Sequence, residues 1–201
     1  ALWNPVEELK LEQNGGETKL LDWDATVKLN LLPLLAKDGH SIHSLSTQLT
    51  FADQQSDNFD YWFRPSTSRL AMKNDYKGEA SRTYSKYRQH SLEWLGNYAM
   101  ELKGHRARAM VGYSYQYFQN SGLNAANKDF SSDGLLYNNL GSGEWAKEEG
   151  RNEMGTNKSD SKLIAFFGRL SYDYKNRYLM TASLRYEGSS RFGDDNKWGY
   201  F

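Results

Sequence analysis

From Ser161 to Phe201 the chain alternates, residue by residue, between side chains that avoid water and side chains that seek it. Ile164, Phe166, Gly168, Leu170, Tyr172 and Tyr174 occupy the even positions, and Ala165, Arg169, Ser171 and Asp173 are among the odd ones. A period of two belongs to an extended strand, which sends successive side chains to opposite faces. After Lys175-Asn176 the pattern resumes, with Tyr178, Met180, Ala182, Leu184 and Tyr186 on one side and Arg177, Thr181, Ser183, Arg185 and Glu187 on the other. For both apolar faces to share one side of a sheet, facing residues must have numbers of equal parity, so the loop holds an odd number of residues. A loop Tyr174-Lys175-Asn176 meets that condition, with Asn176 left-handed and Asp173 opposite Arg177 as an ion pair.

The same alternation recurs upstream. Ala1 to Gly16 is polar and turn-rich, with Asn4-Pro5 and Asn14-Gly15-Gly16 as breakers. A first strand is predicted from about Thr18 to Leu31, with Leu21, Trp23, Ala25, Val27 and Leu29 against Asp22, Asp24, Thr26 and Lys28. A short connection, Leu32 to Gly39, leads to a second strand over His40 to Ala52, where Leu45, Thr47, Leu49 and Phe51 oppose Ser44, Ser46, Gln48 and Thr50. His40 and His43 are three apart, hence on opposite faces, which argues against a shared metal. Periodicity is lost from Asp53 to about Tyr84, predicted as a long loop with a small hairpin near Arg69 to Asp75. Strands follow at Ser85 to Leu102 and Arg106 to Phe118. Their apolar faces have opposite parity, so the Lys103-Gly104 turn holds an even count and brings Met100 to Ala107, Trp94 to Tyr113 and Glu101 to Arg106 as a second ion pair. Gln119 to Asp160 reads as another long loop, and Gly188 to Phe201 as a tail.

Connections that run short, long, short, long, short are the signature of an all-β, antiparallel, up-and-down transmembrane barrel, with tight periplasmic turns and long extracellular loops. Fourteen Tyr and six Trp suit the aromatic girdles at lipid headgroups. No apolar run approaches the ~20 residues of a membrane helix, and mean hydropathy is −0.82, but a barrel strand needs only ~9–11 residues and buries every second one. About six strands are fewer than the smallest membrane barrels contain, so the chain reads as a segment of a larger one. The competing architecture is a soluble sandwich, in which Trp23, Val27, Trp94, Val111, Phe166 and Leu184 would lie between two sheets. Balanced charge, 25 basic and 25 acidic residues, gives no footprint for nucleic acid. Cysteine is absent, and nothing in the pattern asks for a metal or cofactor.

The residues also carry a family likeness. Phe167-Gly168-Arg169-Leu170-Ser171-Tyr172-Asp173-Tyr174, Tyr178-Leu179-Met180-Thr181-Ala182-Ser183-Leu184-Arg185, Gly188-Ser189-Ser190-Arg191-Phe192-Gly193 and Asn196-Lys197-Trp198-Gly199-Tyr200-Phe201 closely resemble the SusC/RagA family of TonB-linked outer-membrane transporters. Met110-Val111-Gly112-Tyr113-Ser114-Tyr115-Gln116, Tyr137-Asn138-Asn139-Leu140 and Asn4-Pro5 resemble it too, so the likeness covers most of the chain and is most specific at its C-terminal end.

The resemblance implies a plugged barrel of about 22 strands in the outer membrane of a Gram-negative cell, a SusD-type surface lipoprotein as lid, and energy delivered through TonB. Residues 1–201 are expected to be part of one barrel domain, without the plug, TonB box or signal peptide. The expected function is import of oligosaccharides or oligopeptides, with no reaction catalysed.

Tyr61, Trp62, Tyr137 and Trp145 are the candidate substrate contacts, since aromatic rings offer flat apolar faces with polar rims. The alternative is that they pack loop against loop or against the lid. Arg169, Arg185 and Glu187 are expected on the inward face as ladder or plug-facing groups. Two other classes remain: a soluble carbohydrate-binding sandwich using the same rings on an open face, and a hydrolase built on Glu148-Glu149 or Asp194-Asp195. Those carboxylates lie in polar loops with no burial to raise a pKa.

Overall fold

The computed structural model describes residues 5–32, 42–151 and 153–201. A helix α1 (Pro5–Leu11) leads into β1 (Gln13–Asn30) and β2 (Ile42–Arg64). A short helix α2 (Arg69–Lys73) precedes β3 (Glu79–Leu102), β4 (His105–Lys128), β5 (Met154–Tyr174), β6 (Tyr178–Ser189) and the short β7 (Trp198–Tyr200). The strands form one sheet in the order β1-β2-β3-β4-β5-β6-β7. The predicted antiparallel meander is therefore borne out, with β1 and β7 as its two edges. Pro33, Asp38-Gly39 and His40 lie outside the described residues.

The strands are longer than predicted. Asp53 to Tyr84 is no long loop, because β2 and β3 run 23 and 24 residues and leave only Pro65 to Gly78 between them, where α2 replaces the predicted hairpin. Likewise β4 and β5 extend into the second predicted loop and confine it to residues 129–153. Alternation was hidden there because both faces are polar or aromatic. Phe59, Tyr61 and Phe63, every second residue of β2, are the signal that was available.

By Cα proximity the chain divides into two compact units. One comprises Ala1–Leu20, Gln55–Tyr87 and Asn120–Ser159, the other Leu21–Gln54, Arg88–Gln119 and Asp160–Phe201.

In the second unit one face of the sheet is apolar and bare. Trp23, Val27, Trp94, Val111, Phe166 and Leu184 are 40–60% exposed, where a sandwich would have sealed them. Aromatic neighbours shape this face: Trp23 lies 5.4 Å from Phe51 and Tyr113 lies 5.2 Å from Phe166, centroid to centroid, both tilted. Trp94 satisfies its indole N–H by donating to Thr47 Oγ1 at 2.8 Å.

Both tight turns use left-handed residues, which give the backbone twist that suits a hairpin. Lys103 and Gly104 have φ of 47° and 86°, and Lys175 and Asn176 of 51° and 57°. The second turn differs from expectation by one residue at each end. The register pairs Asp173 with Leu179 and Tyr174 with Tyr178, so the three-residue loop is Lys175-Asn176-Arg177. Two successive left-handed residues close it through the Arg177 N–H to the Tyr174 carbonyl at 3.0 Å, leaving Arg177 as the extra residue. The predicted Asp173–Arg177 and Glu101–Arg106 pairs give way to one bond between neighbouring hairpins, Arg106 to Asp173 at 3.2 Å. Lys175 N–H donating to the Gly104 carbonyl at 2.7 Å joins the same two turns.

In the first unit, α1 was hidden by the breaker Asn4-Pro5, although proline suits a first helical turn. Its anchor is Glu8, only 5% exposed. The Ser68 hydroxyl donates to the Glu8 carboxylate, which also accepts from the backbone N–H groups of Arg69 at 3.2 Å and Leu70 at 3.5 Å.

The bond from Ser68, opposed by burial and assisted by these amides and Arg64, holds the Glu8 carboxyl below its ordinary 4.5. A folded pKa below the unfolded one gives stability that is present above about pH 4.5 and lost as pH falls through the depressed value. Acidification should therefore lower amide protection at Arg69 to Ala71, read by hydrogen exchange. Glu8→Ala should show low protection at every pH; a variant protected like the wild type would remove Glu8 as the anchor.

Candidate functional site

Alternation sorts the first unit into two faces. On one, a row of opposite charges crosses the strand ends. Glu12 Oε1 accepts from Arg64 Nη2 at 2.7 Å and Nε at 2.9 Å; Arg64 Nη1 reaches Glu79 Oε2 at 3.2 Å and the Tyr76 hydroxyl at 3.0 Å. Glu79 then bridges to Lys128, whose Nζ lies 3.4 Å from it and 3.5 Å from Glu153.

Burial opposes both cations, but Glu12 and Tyr76 around Arg64, and Glu79 and Glu153 around Lys128, raise each pKa above its ordinary value. Proton transfer near pH 7 needs the reverse shift. Both cations of the row are held in their charged forms.

Two predicted contacts sit in this row. Trp62 donates its indole N–H to Glu12 Oε2 at 3.4 Å and lies under the Arg64 guanidinium, 4.6 Å from ring centroid to Cζ. Trp145 has Lys128 Nζ and Arg151 Cζ each 5.1 Å from its ring centroid. Cations held over indoles are worth about 0.5–1 kcal/mol each at exposed sites.

The other two predicted contacts meet on the opposite face. Tyr61 and Tyr137 stack with centroids 3.7 Å apart at 17°. Phe59 lies 4.7 Å from Tyr84 and carries Arg82 at 4.9 Å. Burial, then the hydrogen bond with Tyr61, raises the Tyr137 pKa. A Cβ on Gly15 would come within 2.6 Å of the Tyr61 hydroxyl, so a larger residue there would push this ring aside.

The stack continues into a small core of Phe63, Ala80 and Phe130, with Leu136, Tyr137 and Leu140 packed against it. Sequence reasoning brought all four rings into one functional group, and the structure separates them into two pairs. It passed over Arg64, Glu79 and Lys128, which carry no local motif because their partners lie on different strands.

Of the carboxylates of the hydrolase reading, Glu148, Glu149 and Asp195 are exposed. Glu148 is paired with Arg151 at 3.0 Å. Among the described residues no group of three or more His, Cys, Asp and Glu side chains could hold a metal. Arg185 and Glu187, expected inward, bond to each other through Nε and Oε2 at 2.6 Å, with Arg185 over the Phe167 ring at 5.6 Å.

A long-stranded antiparallel meander with one bare apolar face and one polar face is a segment of an up-and-down transmembrane β-barrel. No protein-family model matches the chain, but individual proteins do. TonB-dependent receptor P39 of Formosa agariphila is 38% identical over 100 residues, 48% of this chain and 9% of the receptor. TonB-dependent receptor P3 of the same organism is 30% identical over 124 residues, 62% of this chain and 12% of the receptor. TonB-dependent receptor SusC of Bacteroides thetaiotaomicron is 56% identical over 39 residues, 19% of this chain and 4% of SusC.

Among solved structures, the RagAB peptide importer in its closed-closed state matches with a TM-score of 0.70 and 17% identity, over 95% of this chain and 20% of the importer chain. The chain thus spans about a tenth of the F. agariphila receptors and a fifth of the solved importer chain. Sequence and fold point the same way: stretches of the chain are similar to TonB-dependent receptors, SusC among them, and its fold is similar to part of the RagAB importer's barrel.

Proposed function

We propose that residues 1–201 are part of a single barrel domain of a SusC-like importer in the outer membrane of a Gram-negative cell. It takes up oligosaccharides or oligopeptides, draws energy through TonB and works beneath a SusD-like surface lipoprotein. The observation that carries this reading is the uncovered apolar face of Trp23, Val27, Trp94, Val111, Phe166 and Leu184. That face suits acyl chains and leaves the polar face for a water-filled interior.

Alternation along β2 supports a division of labour among the four rings. Odd residues of β2 meet even residues of β3 along the strand, as in Thr47 with Trp94, Asp53 with His90 and Phe59 with Tyr84. Trp62 and Arg64 therefore share the parity of the polar residues Ser46 and Gln48, while Tyr61 shares that of Leu49 and Phe51. Trp62 and Trp145, braced by the ion row, are the rings that touch cargo. Tyr61 and Tyr137 hold the loop 129–153 from the other side.

The test is uptake by the full-length receptor of a labelled panel of oligosaccharides and oligopeptides. Trp62→Ala and Trp145→Ala should each weaken binding of the imported class roughly 3- to 10-fold, the range an aromatic contact supplies. Tyr61→Ala should leave affinity nearly unchanged while loosening the loop. Unchanged uptake in the double Trp62→Ala/Trp145→Ala variant would remove these rings as contacts. A soluble receptor, recovered without detergent, would remove the importer itself.

A further inference from the structure

Two cations on the apolar-face parity have no assigned work. Arg88 on β3 shares its side of the strand with Leu92 and Trp94, and Lys162 on β5 shares its side with Ile164 and Phe166. Both side chains are exposed, and among the described residues neither has a carboxylate within 4 Å. They lie beyond the loop-proximal end of the apolar band, where a bilayer changes from acyl chains to headgroups.

Strand β4 runs between them. Gly96 beside Val111 and His90 stacked parallel to Tyr117 set a register that places Gln119 opposite Arg88. Tyr113 beside Phe166 and Arg106 bonded to Asp173 set the next one, which places Tyr117 opposite Lys162. Arg88 and Lys162 thus flank β4 at about two strand spacings, roughly 10 Å, within the joint reach of two long side chains. The hydroxyl between them is primed: Gln119 donates its amide N–H to Tyr117 Oη at 2.9 Å, leaving the Tyr117 proton to be donated outward. Of the carboxylates nearby, Asp53 is bonded to His90, and Asp160, two residues from Lys162, is exposed. The cluster offers two positive charges and a hydroxyl donor against one unpaired carboxylate.

A second feature of the same face points to what docks there. Ala109, Gly168 and Ala182, all small, leave a shallow apolar trough bordered by Trp94, Phe166 and Leu184. Gly168 is six residues along β5 from Lys162, roughly 20 Å, and Phe166 four, roughly 13 Å. An acyl chain lying through one leaflet covers about 15 Å.

Building on the barrel reading, we propose that this face holds one phosphate-bearing membrane lipid. Its acyl chain lies in the trough and its anionic headgroup on Arg88, Tyr117 and Lys162. Planar guanidinium and compact ammonium donors suit phosphate oxygens, and a cation at the headgroup level adds to affinity for an anionic lipid.

The experiment is native mass spectrometry of the full-length receptor in detergent, titrated with dipalmitoyl phosphatidic acid, with dipalmitoylglycerol, which has the same chains and no phosphate, and with inorganic phosphate. The wild type should retain the phosphatidic acid, retain dipalmitoylglycerol weakly, and show no binding of inorganic phosphate. R88Q/K162Q should lower phosphatidic acid affinity roughly 30-fold and leave dipalmitoylglycerol unchanged, whereas Ala182→Trp, which fills the trough, should lower both. Equal retention of the two lipids by the wild type, or undiminished phosphatidic acid binding by R88Q/K162Q, overturns the site. If the receptor is extracted from the membrane fraction and shows heat-modifiable migration, such a failure falls on the lipid site alone. A receptor absent from the membrane fraction removes the barrel reading as well.

Discussion

Phe63→Ala should release the loop 129–153 from the strand ends at a local cost of about 3–5 kcal/mol, the range for deleting a buried phenyl ring. Phe63 is 2% exposed and packs with Ala80 at 0% and Phe130 at 4%, so its removal leaves a cavity that so small a cluster cannot refill. Around this core the loop is tied by polar bonds whose geometry depends on it. Buried Asn127 donates to the carbonyls of Leu140 at 2.8 Å and Gly143 at 3.0 Å and accepts from the Ala146 N–H at 3.0 Å. Asp133 accepts from the Ser66 N–H at 3.0 Å and its hydroxyl at 2.7 Å. The Phe130 N–H reaches the Lys77 carbonyl at 2.7 Å. Hydrogen exchange on the full-length receptor should show protection lost from Phe130 through Ala146, while the barrel still migrates as a folded species. Phe63→Leu, which keeps most of the volume, should lose far less. Retained protection in Phe63→Ala would mean that the polar ties alone order the loop.

The extended segments of the second unit were open to a reading from sequence because each face there is chemically uniform. Leu21, Trp23, Ala25, Val27 and Leu29 need no partner to be recognised, since water and lipid sort them one residue at a time. The strand ends of the first unit are different. Glu12, Arg64, Glu79, Lys128 and Glu153 find one another across five segments of chain, and no window of sequence contains more than one of those pairings. Parity correctly gave three residues in the loop between β5 and β6, but not which three. Two left-handed residues in succession, Lys175 and Asn176, decided that, and lysine announces no such preference. The four candidate rings divide between two faces for a related reason. Tyr61 and Trp62 are neighbours in sequence, hence on opposite faces of a strand. Proximity along the chain separated what a common chemical type had joined.

Leu184→Arg should abolish or sharply reduce insertion of the receptor into the outer membrane, whereas Thr181→Arg, three residues away on the same strand, should be tolerated. On β6 the apolar positions run Tyr178, Met180, Ala182, Leu184, Tyr186, so Leu184 lies between the two aromatic ends and within the band; it is 58% exposed and opposite Gly168. An arginine facing acyl chains near the centre of a barrel costs about 2–4 kcal/mol, falling towards the interfaces. Thr181 faces the other way, opposite Ser171, with a hydroxyl contact of 3.4 Å as the interaction to be lost. A guanidinium placed there meets no like charge directly across the strand pair and, in a water-filled interior, keeps its hydration. The two variants carry the same new charge and differ chiefly in face, so their comparison isolates what each face touches. Heat-modifiable migration and the fraction recovered from outer membranes are the readouts. Equal tolerance of the two would mean that Leu184 does not face lipid, and equal damage would mean that Thr181 does not face water; either would end the barrel reading. Leu184→Phe, which changes shape and keeps the face apolar, should insert like the wild type and exclude packing as the cause.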